Sequence, residues 1–236
     1  MSYRYSATSC DPIRPQFPRL TLTEAKPADV PEIRAFILAA DSQNLVIHPE
    51  EVQRNAAFNG LLFKVENAGD LVATGQLIPV KNTDYFEMGG CFVSEPHRGL
   101  GIQKSLIVAR AAALIAINGR KAVLVTAVDP EKSPESLHNV TEAGFRILDP
   151  YPKELLQPCS GCLKRKTLPP GRLCCCRFFF LPPERHRCLV ANFLRMDEEA
   201  LLPSRNGVPF VLRNSSRNAI DPGRRRALEA FVGGRA

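Results

Sequence analysis

The stretch from residue 92 to residue 104, FVSEPHRGLGIQK, constrains the fold most, because it places a Gly-rich turn between an apolar strand and a long helix. At such a turn, Gly99 and Gly101 leave backbone N–H groups accessible, and the helix N-terminus adds partial positive charge. Both features suit a phosphate, and Arg98 and Lys104 could add charge. A glycine pair also ends strands for steric reasons alone, so the surrounding elements must decide.

The elements before this turn read as a strand, two helices and three strands. Alternating Leu and Thr predict the first strand, and Asp29 can cap a helix that starts at Pro31. Turn residues separate the last three strands, which favours an antiparallel meander. The predicted strands are 20–25, 61–66, 71–80 and 85–93, and the second helix is 48–57.

The elements after the turn follow a parallel pattern. Apolar residues at helical spacing predict a helix over 101–118, and the apolar run 122–128 reads as a strand buried on both faces. A short helix between Pro134 and Gly144 precedes a strand over 145–148. A dinucleotide fold would place its glycines after the first strand, and a P-loop would need Gly-Lys-Ser or Gly-Lys-Thr. The sequence has neither pattern.

This arrangement resembles the GNAT superfamily of N-acetyltransferases. The family's pyrophosphate signature is Arg or Gln, two residues, Gly, one residue, then Gly or Ala. It falls on Arg98, Gly101 and Gln103, with Gln where a small residue is usual. Further matches are Val93, five residues before the Arg, and the pair Gly144 and Phe145. The resemblance implies an α/β fold of the acyl-CoA N-acyltransferase type, with a central mixed sheet of six or seven strands flanked by helices.

By this resemblance the acyl donor is acetyl-CoA, whose pantetheine arm lies between a bulged fourth strand and the fifth. Gly89 and Gly90 independently suit a bulge, although they could equally relieve crowding in the core. The residues expected to bind the cofactor are Phe92, Val93, Arg98, Gly99, Leu100, Gly101, Ile102, Gln103, Lys104 and Asn139.

Acyl transfer to an amine requires a group that takes the amine's proton. By the resemblance, Glu87 is the predicted catalytic base, because the family often uses an acid from the strand that leads to the turn. Its alternative is a solvated strand residue. The family often protonates the leaving thiolate with a Tyr at the position that Val140 occupies here. His138 lies close by, where a surface or capping role is the main alternative to catalysis.

The chain divides by charge into a leader over 1–19, an N-acetyltransferase domain over 20–150 and a basic extension over 151–236. Residues 1–150 hold 15 Lys and Arg against 17 Asp and Glu, a net charge of −2, while the remainder holds 16 against 7, a net charge of +9. The extension is expected to supply a last sheet strand at 173–181. Further predictions there are strands at 189–194 and 208–213 and a helix over 222–231.

Six of the eight cysteines lie in this extension, which in a reducing compartment suggests thiols or a metal site before disulfides. Zinc needs four tetrahedral ligands. Adjacent cysteines in a strand point to opposite faces, so Cys174, Cys175 and Cys176 cannot all bind one ion. A redox pair and incidental buried thiols are the alternatives. The candidate zinc ligands are Cys159, Cys162, Cys174 and Cys176.

The sequence therefore predicts an acyl-CoA-dependent N-acyltransferase that moves an acetyl group to a primary amine of a small molecule or protein. The alternative is a GNAT-fold binding module whose basic tail binds nucleic acid or an acidic protein. The sequence has no run of eighteen apolar residues and no signal-peptide pattern, which predicts a cytoplasmic protein without a membrane partner. A homodimer stays open.

Overall fold

The computed structural model describes residues 19–40, 49–121, 123–156, 168, 174–195, 200–202, 210–214 and 222–234. The predicted leader lies almost wholly outside these ranges. In chain order the strands and helices are β1 (Arg19–Glu24), α1 (Val30–Ala40), α2 (Glu50–Phe58), β2 (Leu62–Asn67), β3 (Asp70–Pro79), β4 (Tyr85–Val93), α3 (Ile102–Asn118), β5 (Val123–Val128), α4 (Pro134–Glu142), β6 (Arg146–Ile147), β7 (Arg177–Phe180), α5 (Pro183–Arg195), β8 (Ala200–Leu202), β9 (Phe210–Asn214) and α6 (Pro222–Gly233).

The nine described strands form one mixed sheet in the order β6-β7-β5-β4-β3-β2-β1-β9-β8. The β1-to-β4 segment is the antiparallel meander that the turn residues predicted, and β4 pairs parallel with β5. Two parallel strands need a crossover, and α3 supplies it. The predicted mixed sheet flanked by helices is confirmed, with two strands more than the larger number expected.

Helix α3 forms the centre of the core, because almost every position from Ser105 to Ile115 is buried. A helix that is apolar all round must be covered on several sides. The sheet covers one side of it. Two helices of the basic extension pack on it as well, with Val190 and Phe193 from α5 and Leu228 and Phe231 from α6 in the same apolar cluster as Leu106.

The extension also contributes to the sheet. Strand β7 lies between β5 and β6 and pairs antiparallel with both, and β9 pairs parallel with β1 at the other side. Phe178 and Phe179 of β7 are buried, so this strand contributes to the core as well as to the sheet. The described elements after residue 150 are therefore integrated into the sheet and core of the preceding domain.

One prediction about the extension is wrong, and another is present with a later start. Residues 189–194 are not a strand but lie in α5, which Pro183 starts and in which Leu189, Val190 and Phe193 are buried on one face. A short apolar run cannot distinguish a strand from the buried face of a helix. The strand predicted at 173–181 begins only at Arg177, so Cys174 to Cys176 precede it. Across the described ranges, the helices are too short or too polar to span a membrane.

Candidate active site

Strand β4 carries a bulge at its centre. Thr74 of β3 lies opposite Phe92 and Gln76 lies opposite Gly89, so β4 fits one more residue than β3 between the two pairs. Gly90 adopts a φ of +54° there, a conformation that glycine accepts without steric cost. A bulge bends its strand and interrupts the pairing. Gly89 and Gly90 thus stand at a bulge, as one of their two sequence interpretations predicted.

Beyond this point β4 and β5 separate. Their pairing covers only three positions and ends where Glu87 lies opposite Val125, although β4 continues to Val93. Phe92 pairs with β3 on one side, so its strand's other edge faces the gap between β4 and β5. A backbone edge without a neighbouring strand can bind an extended ligand as an added strand. The structure thus contains the gap in which Phe92 and Val93 were predicted to contact pantetheine.

Arg110 of α3 supports the bulge from the helix side. Its guanidinium is 2% exposed, and its Nη1 donates to the carbonyl oxygens of Gln76 at 3.4 Å and Gly89 at 3.3 Å. Its Nε donates to Leu106 O at 3.0 Å, one turn earlier in α3. A side chain at Gly75 would crowd this group, because its Cβ would lie 3.3 Å from Arg110 Cζ. A buried cation is expensive unless hydrogen bonds satisfy it, and these bonds hold the two bulged strands together.

Glu87 lies two residues before the bulge glycines and is 9% exposed. Burial raises the pKa of its carboxyl group to about 7, and the nearby Cys174 thiol adds a smaller electrostatic contribution in the same direction. Within the described residues, its Oε2 has no hydrogen-bond partner. The solvated alternative for Glu87 is therefore wrong. A buried carboxyl group poised near neutral pH has the properties of a general base.

The turn after β4 is held by its own side chains. His97 connects Ser94 Oγ, 2.8 Å from its Nδ1, to Asn67 Nδ2 at the end of β2, 3.3 Å from its Nε2. Because the Asn67 amide nitrogen donates, Nε2 accepts and Nδ1–H donates to Ser94. Arg98 Nε donates to Val93 O at 3.3 Å, while its side chain stays exposed. These contacts fix the turn before α3 begins.

The N-terminus of α3 meets the requirements of an anion site. In the described structure, the backbone N–H groups of residues 100–103 donate to no backbone carbonyl, and the first helical bond is Ser105 N to Gly101 O at 3.1 Å. Gly99 and Gly101 have φ values of +80° and +77°, and a Cβ at either position would meet open space. Backbone donors at a helix N-terminus that have no intrahelical partners are what a phosphate needs. The local geometry fits the predicted pyrophosphate turn.

Helix α4 is tied to this turn by polar side chains. Gln103 Nε2 donates to Ser136 Oγ at 3.0 Å, and Gln103 Oε1 accepts from Asn139 Nδ2 at 2.6 Å. The Gln that departs from the family signature therefore fixes α4 to α3, and Asn139 is bonded to it. Lys104 forms an ion pair with Glu142, so its charge is compensated rather than fully available for a phosphate. Glu142 also lies 3.3 Å from His138, which is exposed, as its surface alternative predicted.

The predicted zinc ligands divide between described and undescribed residues. Cys159 and Cys162 lie outside the described ranges. Cys174, Cys175 and Cys176 sit in a bend before β7, where their three Sγ atoms lie within 4.8 Å of one another. The expectation that they point to opposite faces is wrong, because the segment is not extended. Hydrogen bonding to Cys174 raises the pKa of the Cys176 thiol, and its burial adds to that shift.

Sequence reasoning missed two residues at this site, Gln76 and Arg110. Both act through contacts between elements about 34 residues apart, which no local pattern encodes. One signal was available for Arg110. It is the only charge between Lys104 and Arg120, inside a helix that is otherwise apolar all round. A single charged residue in such a helix is expected to be buried together with hydrogen-bond partners.

Comparison with known proteins gives structural matches only. No protein-family model matches the chain, and no curated protein sequence matches it. N-acetylglutamate synthase from Neisseria gonorrhoeae, complexed with coenzyme A and N-acetyl-glutamate, is 19% identical with a TM-score of 0.51, covering 69% of this chain and 34% of that chain. The matched part thus spans about a third of the synthase. An acetyltransferase of the GNAT family from Staphylococcus aureus is 20% identical with a TM-score of 0.49, covering 69% and 98%.

The likeness to the synthase establishes the fold. At 19% identity it carries no activity or substrate to this chain. The chain has the mixed-sheet fold of GNAT N-acetyltransferases, as the turn between residues 92 and 104 indicated. What the site does must be argued from its own groups.

Proposed function

We propose that the protein transfers an acetyl group from acetyl-CoA to a primary amine, with Glu87 as the general base. The observation that carries the proposal is the Glu87 carboxyl group, which is buried beside the gap between β4 and β5 and has a pKa of about 7. A group that titrates near neutral pH can accept a proton and release it again in each cycle. The acceptor is a small molecule or a protein.

Acetyl-CoA would occupy two features of the site. Its pyrophosphate would accept hydrogen bonds from the backbone N–H groups of residues 100–103, aided by the dipole of the 17-residue helix α3. Its pantetheine arm would run along the open edge of β4 past Phe92 and Val93. This places the thioester near the bulge and the acceptor nitrogen near Glu87. The synthase that matches the fold was solved with coenzyme A, which supports the choice of donor.

The reaction then needs few protein groups. Glu87 accepts the proton that the amine loses as it attacks the thioester carbonyl carbon, and the C–S bond breaks as the amide forms. Val140, at the position where the family often has Tyr, is buried in the apolar core and cannot donate a proton to the leaving thiolate. Solvent at the open end of the gap is the proposed source of that proton.

The test is binding and turnover with the full chain. We expect isothermal titration calorimetry to detect acetyl-CoA and coenzyme A binding, and mass spectrometry to detect acetylated products from a panel of primary amines. Secondary hydroxyl acceptors serve as the negative control, since oxygen nucleophiles need a stronger base. Failure of acetyl-CoA to bind the wild type would sink the proposal.

The competing function is binding through the basic extension. It predicts salt-dependent affinity for RNA or an acidic protein, since each phosphate contact releases counterions. In the structure, part of that extension packs on the core, with Leu228 and Phe231 of α6 buried against α3. Strong, salt-dependent RNA binding together with an absence of acetyl-CoA binding would favour this function instead.

The zinc site remains a separate proposal. A tetrahedral thiolate site with Zn–S bonds of about 2.3 Å has sulfur atoms roughly 3.8 Å apart, and the Sγ atoms of Cys174 and Cys176 lie within 4.8 Å of each other. We expect one zinc per chain by elemental mass spectrometry. Substituting Cys174 and Cys176 by Ser should remove it, whereas Ser at the exposed Cys188 of α5 should not.

A further inference from the structure

A second buried polar side chain beside Glu87 lacks a hydrogen-bond partner. Gln76 of β3 is 2% exposed, and within the described residues neither its Nε2 nor its Oε1 makes a hydrogen bond. Buried side-chain amides in folded proteins are normally bonded, because a buried group left unpaired destabilises the fold. Among the described residues, the fold therefore keeps a buried amide whose hydrogen-bonding capacity is not used.

Strand pairing puts Gln76 and Glu87 on one face of the sheet. Ile78 lies opposite Glu87, and Gln76 lies opposite Gly89, one step further along the same pair of strands. Residues two apart in a strand share a face, so Gln76, Ile78 and Glu87 are neighbours there. Gly75 faces the other way, toward Arg110. The two unpartnered polar groups thus lie diagonally across one strand pair.

The Gln76 amide lies against the bulge itself. A Cβ added at Gly90 would come within 2.9 Å of Gln76 Nε2 and 3.2 Å of its Cγ. A side chain at this position would therefore crowd the amide and force it to shift. The same Gly90 has the positive φ that forms the bulge, so one residue both shapes the strand and admits the side chain.

Arg110 fixes the backbone on which Gln76 stands. One guanidinium nitrogen, Nη1, donates both to Gln76's own carbonyl oxygen and to Gly89 O across the strand pair. The amide therefore extends from a backbone position that is held from the opposite face. Donors that are held in place before the reaction stabilise developing charge without the cost of reorganisation.

The order of features along β4 identifies what the amide would touch. The pyrophosphate turn follows the C-terminal end of β4, the bulge is in its middle and Glu87 precedes the bulge. A thioester that reaches from that turn toward the base, as the proposed function requires, has its carbonyl group at the bulge. We propose that Gln76 is a catalytic residue whose Nε2–H donates a hydrogen bond to the thioester carbonyl oxygen and stabilises the oxyanion that forms there.

The step balances without a further reactant. The amine nitrogen forms a bond to the carbonyl carbon, and the carbonyl π electrons move to the oxygen that Gln76 contacts. When that pair returns, the C–S bond breaks and its electrons leave with the sulfur. The nitrogen loses one proton to Glu87, and the thiolate gains one from solvent, to which Glu87 returns its own. Amine and thioester become amide and thiol.

The test compares two ligands that differ at the carbonyl oxygen. Acetyl-CoA has this acceptor, and S-ethyl-coenzyme A, a thioether, lacks it. We expect the wild type to bind acetyl-CoA roughly 3- to 10-fold more tightly than the thioether, as one hydrogen bond implies. Gln76→Met should bind both ligands equally, with affinity for the thioether unchanged. Removing one oxyanion donor should lower kcat by about 100-fold or more.

Thr74→Val is the matched control. Thr74 is a buried polar residue of the same strand, and its Oγ1 donates to Phe63 O at 3.0 Å, so its role is structural. The control should lower the melting temperature and leave the ligand preference intact. Gln76→Met removes no side-chain hydrogen bond that the described residues show, so its melting temperature should not fall. A purely structural Gln76 would show the reverse pattern.

The outcomes separate this inference from the proposed function. If the wild type binds neither acetyl-CoA nor the thioether, the proposed function fails and Gln76 has no reaction to assist. If acetyl-CoA binds but Gln76→Met keeps the preference and the rate, the role of Gln76 alone is refuted. Should Gln76→Met not fold, Gln76→Leu and the frequency of the 13C-labelled carbonyl stretch in bound acetyl-CoA provide the same discrimination, with a downshift expected only when Gln76 is present.

Discussion

The turn before α3 and the face of β3 and β4 that carries Glu87 handle charge by different means. The turn uses backbone N–H groups, and its glycines matter because they add nothing that would block a phosphate. The β3 and β4 face has two buried side chains, Gln76 and Glu87, and within the described residues the Gln76 amide and the Glu87 Oε2 make no hydrogen bond. Under the proposed function, affinity for the cofactor and chemistry on it would therefore be built separately. Substitutions on each side should therefore change different constants.

The largest expected effect comes from Glu87→Gln, which removes the base and keeps the shape. We expect kcat/KM to fall by about 10²- to 10⁴-fold, the range for loss of a general base. The dissociation constant of acetyl-CoA should stay within about twofold, since the turn is untouched. Steady-state kinetics and calorimetry measure the two quantities. Glu66→Gln in β2, whose carboxylate pairs with Lys64, is the control with normal turnover.

The wild type and Glu87→Gln should differ in how their activity and stability depend on pH. The Glu87 pKa is raised to about 7, mainly by burial, so the carboxyl group is protonated and inactive below that value. Wild-type kcat/KM should rise by about tenfold per pH unit from pH 5 and level off above pH 7, and the Gln variant should lack this rise.

Burying the Glu87 carboxylate also destabilises the wild type as pH increases from 4.5 to 7. Glu87→Gln should therefore be more stable at pH 8, by about 3 kcal/mol, and equally stable at pH 4. A wild-type kcat/KM that does not change between pH 5 and pH 7 would contradict the assignment of Glu87 as the base.

Arg110→Met tests the hydrogen bonds that join β3 and β4 at the bulge. The substitution leaves the carbonyl oxygens of Gln76 and Gly89 without their donor. We expect the free energy of unfolding to fall by roughly 2 to 4 kcal/mol, because hydrogen bonds to a charged group each contribute about 1.5 to 3 kcal/mol. Chemical denaturation measures the change. Arg110→Lys keeps a charge but loses the planar guanidinium group. Its free energy of unfolding should lie between those of the wild type and Arg110→Met. Unchanged stability in Arg110→Met would show that the bulge is stable without these hydrogen bonds.

Much of the cofactor side could be predicted from the sequence, because backbone sites leave local signals. Gly99, Gly101 and the helix that follows them lie within one continuous stretch, and the glycines at 89 and 90 correctly suggested a bulge. Glu87 was predicted from the family's use of an acid on this strand, and the structure adds that it is buried. The order of strands and helices up to residue 148 followed from hydrophobic period and turn residues. Each of these features depends on neighbours in the chain.

The other side could not be predicted, because its properties arise between elements. Gln76 becomes notable only when it is seen buried without a partner, and Arg110 only when its carbonyl acceptors are known. The same limit applies to residues 189–194. Their apolar run is one face of α5 against α3, which sequence period alone did not reveal. Cys174 to Cys176 likewise form a cluster because the bend before β7 gathers them.

The smallest expected effect comes from Gly101→Ala, which should act on binding alone. Alanine at a φ of +77° costs roughly 1 kcal/mol, and relaxation of that strain would turn the N–H groups of residues 101–103 away from the phosphate. We expect acetyl-CoA affinity to fall by about tenfold, with kcat at saturation unchanged, since one lost phosphate contact is worth roughly that much. Titration calorimetry measures the affinity.

Gly119→Ala is the matched control for this substitution, because Gly119 ends the same helix with a positive φ and equally open surroundings. It introduces at least as much backbone strain, because its φ of +62° and ψ of −144° lie in a region that side chains avoid more than the left-handed helical region of Gly101, and it does so at the opposite pole of the helix dipole, where no phosphate is proposed to bind. If both variants lose affinity equally, the loss reflects destabilised α3 rather than a phosphate contact. If only Gly101→Ala loses it, and kcat holds, then the turn binds the cofactor while the β3 and β4 face performs the chemistry.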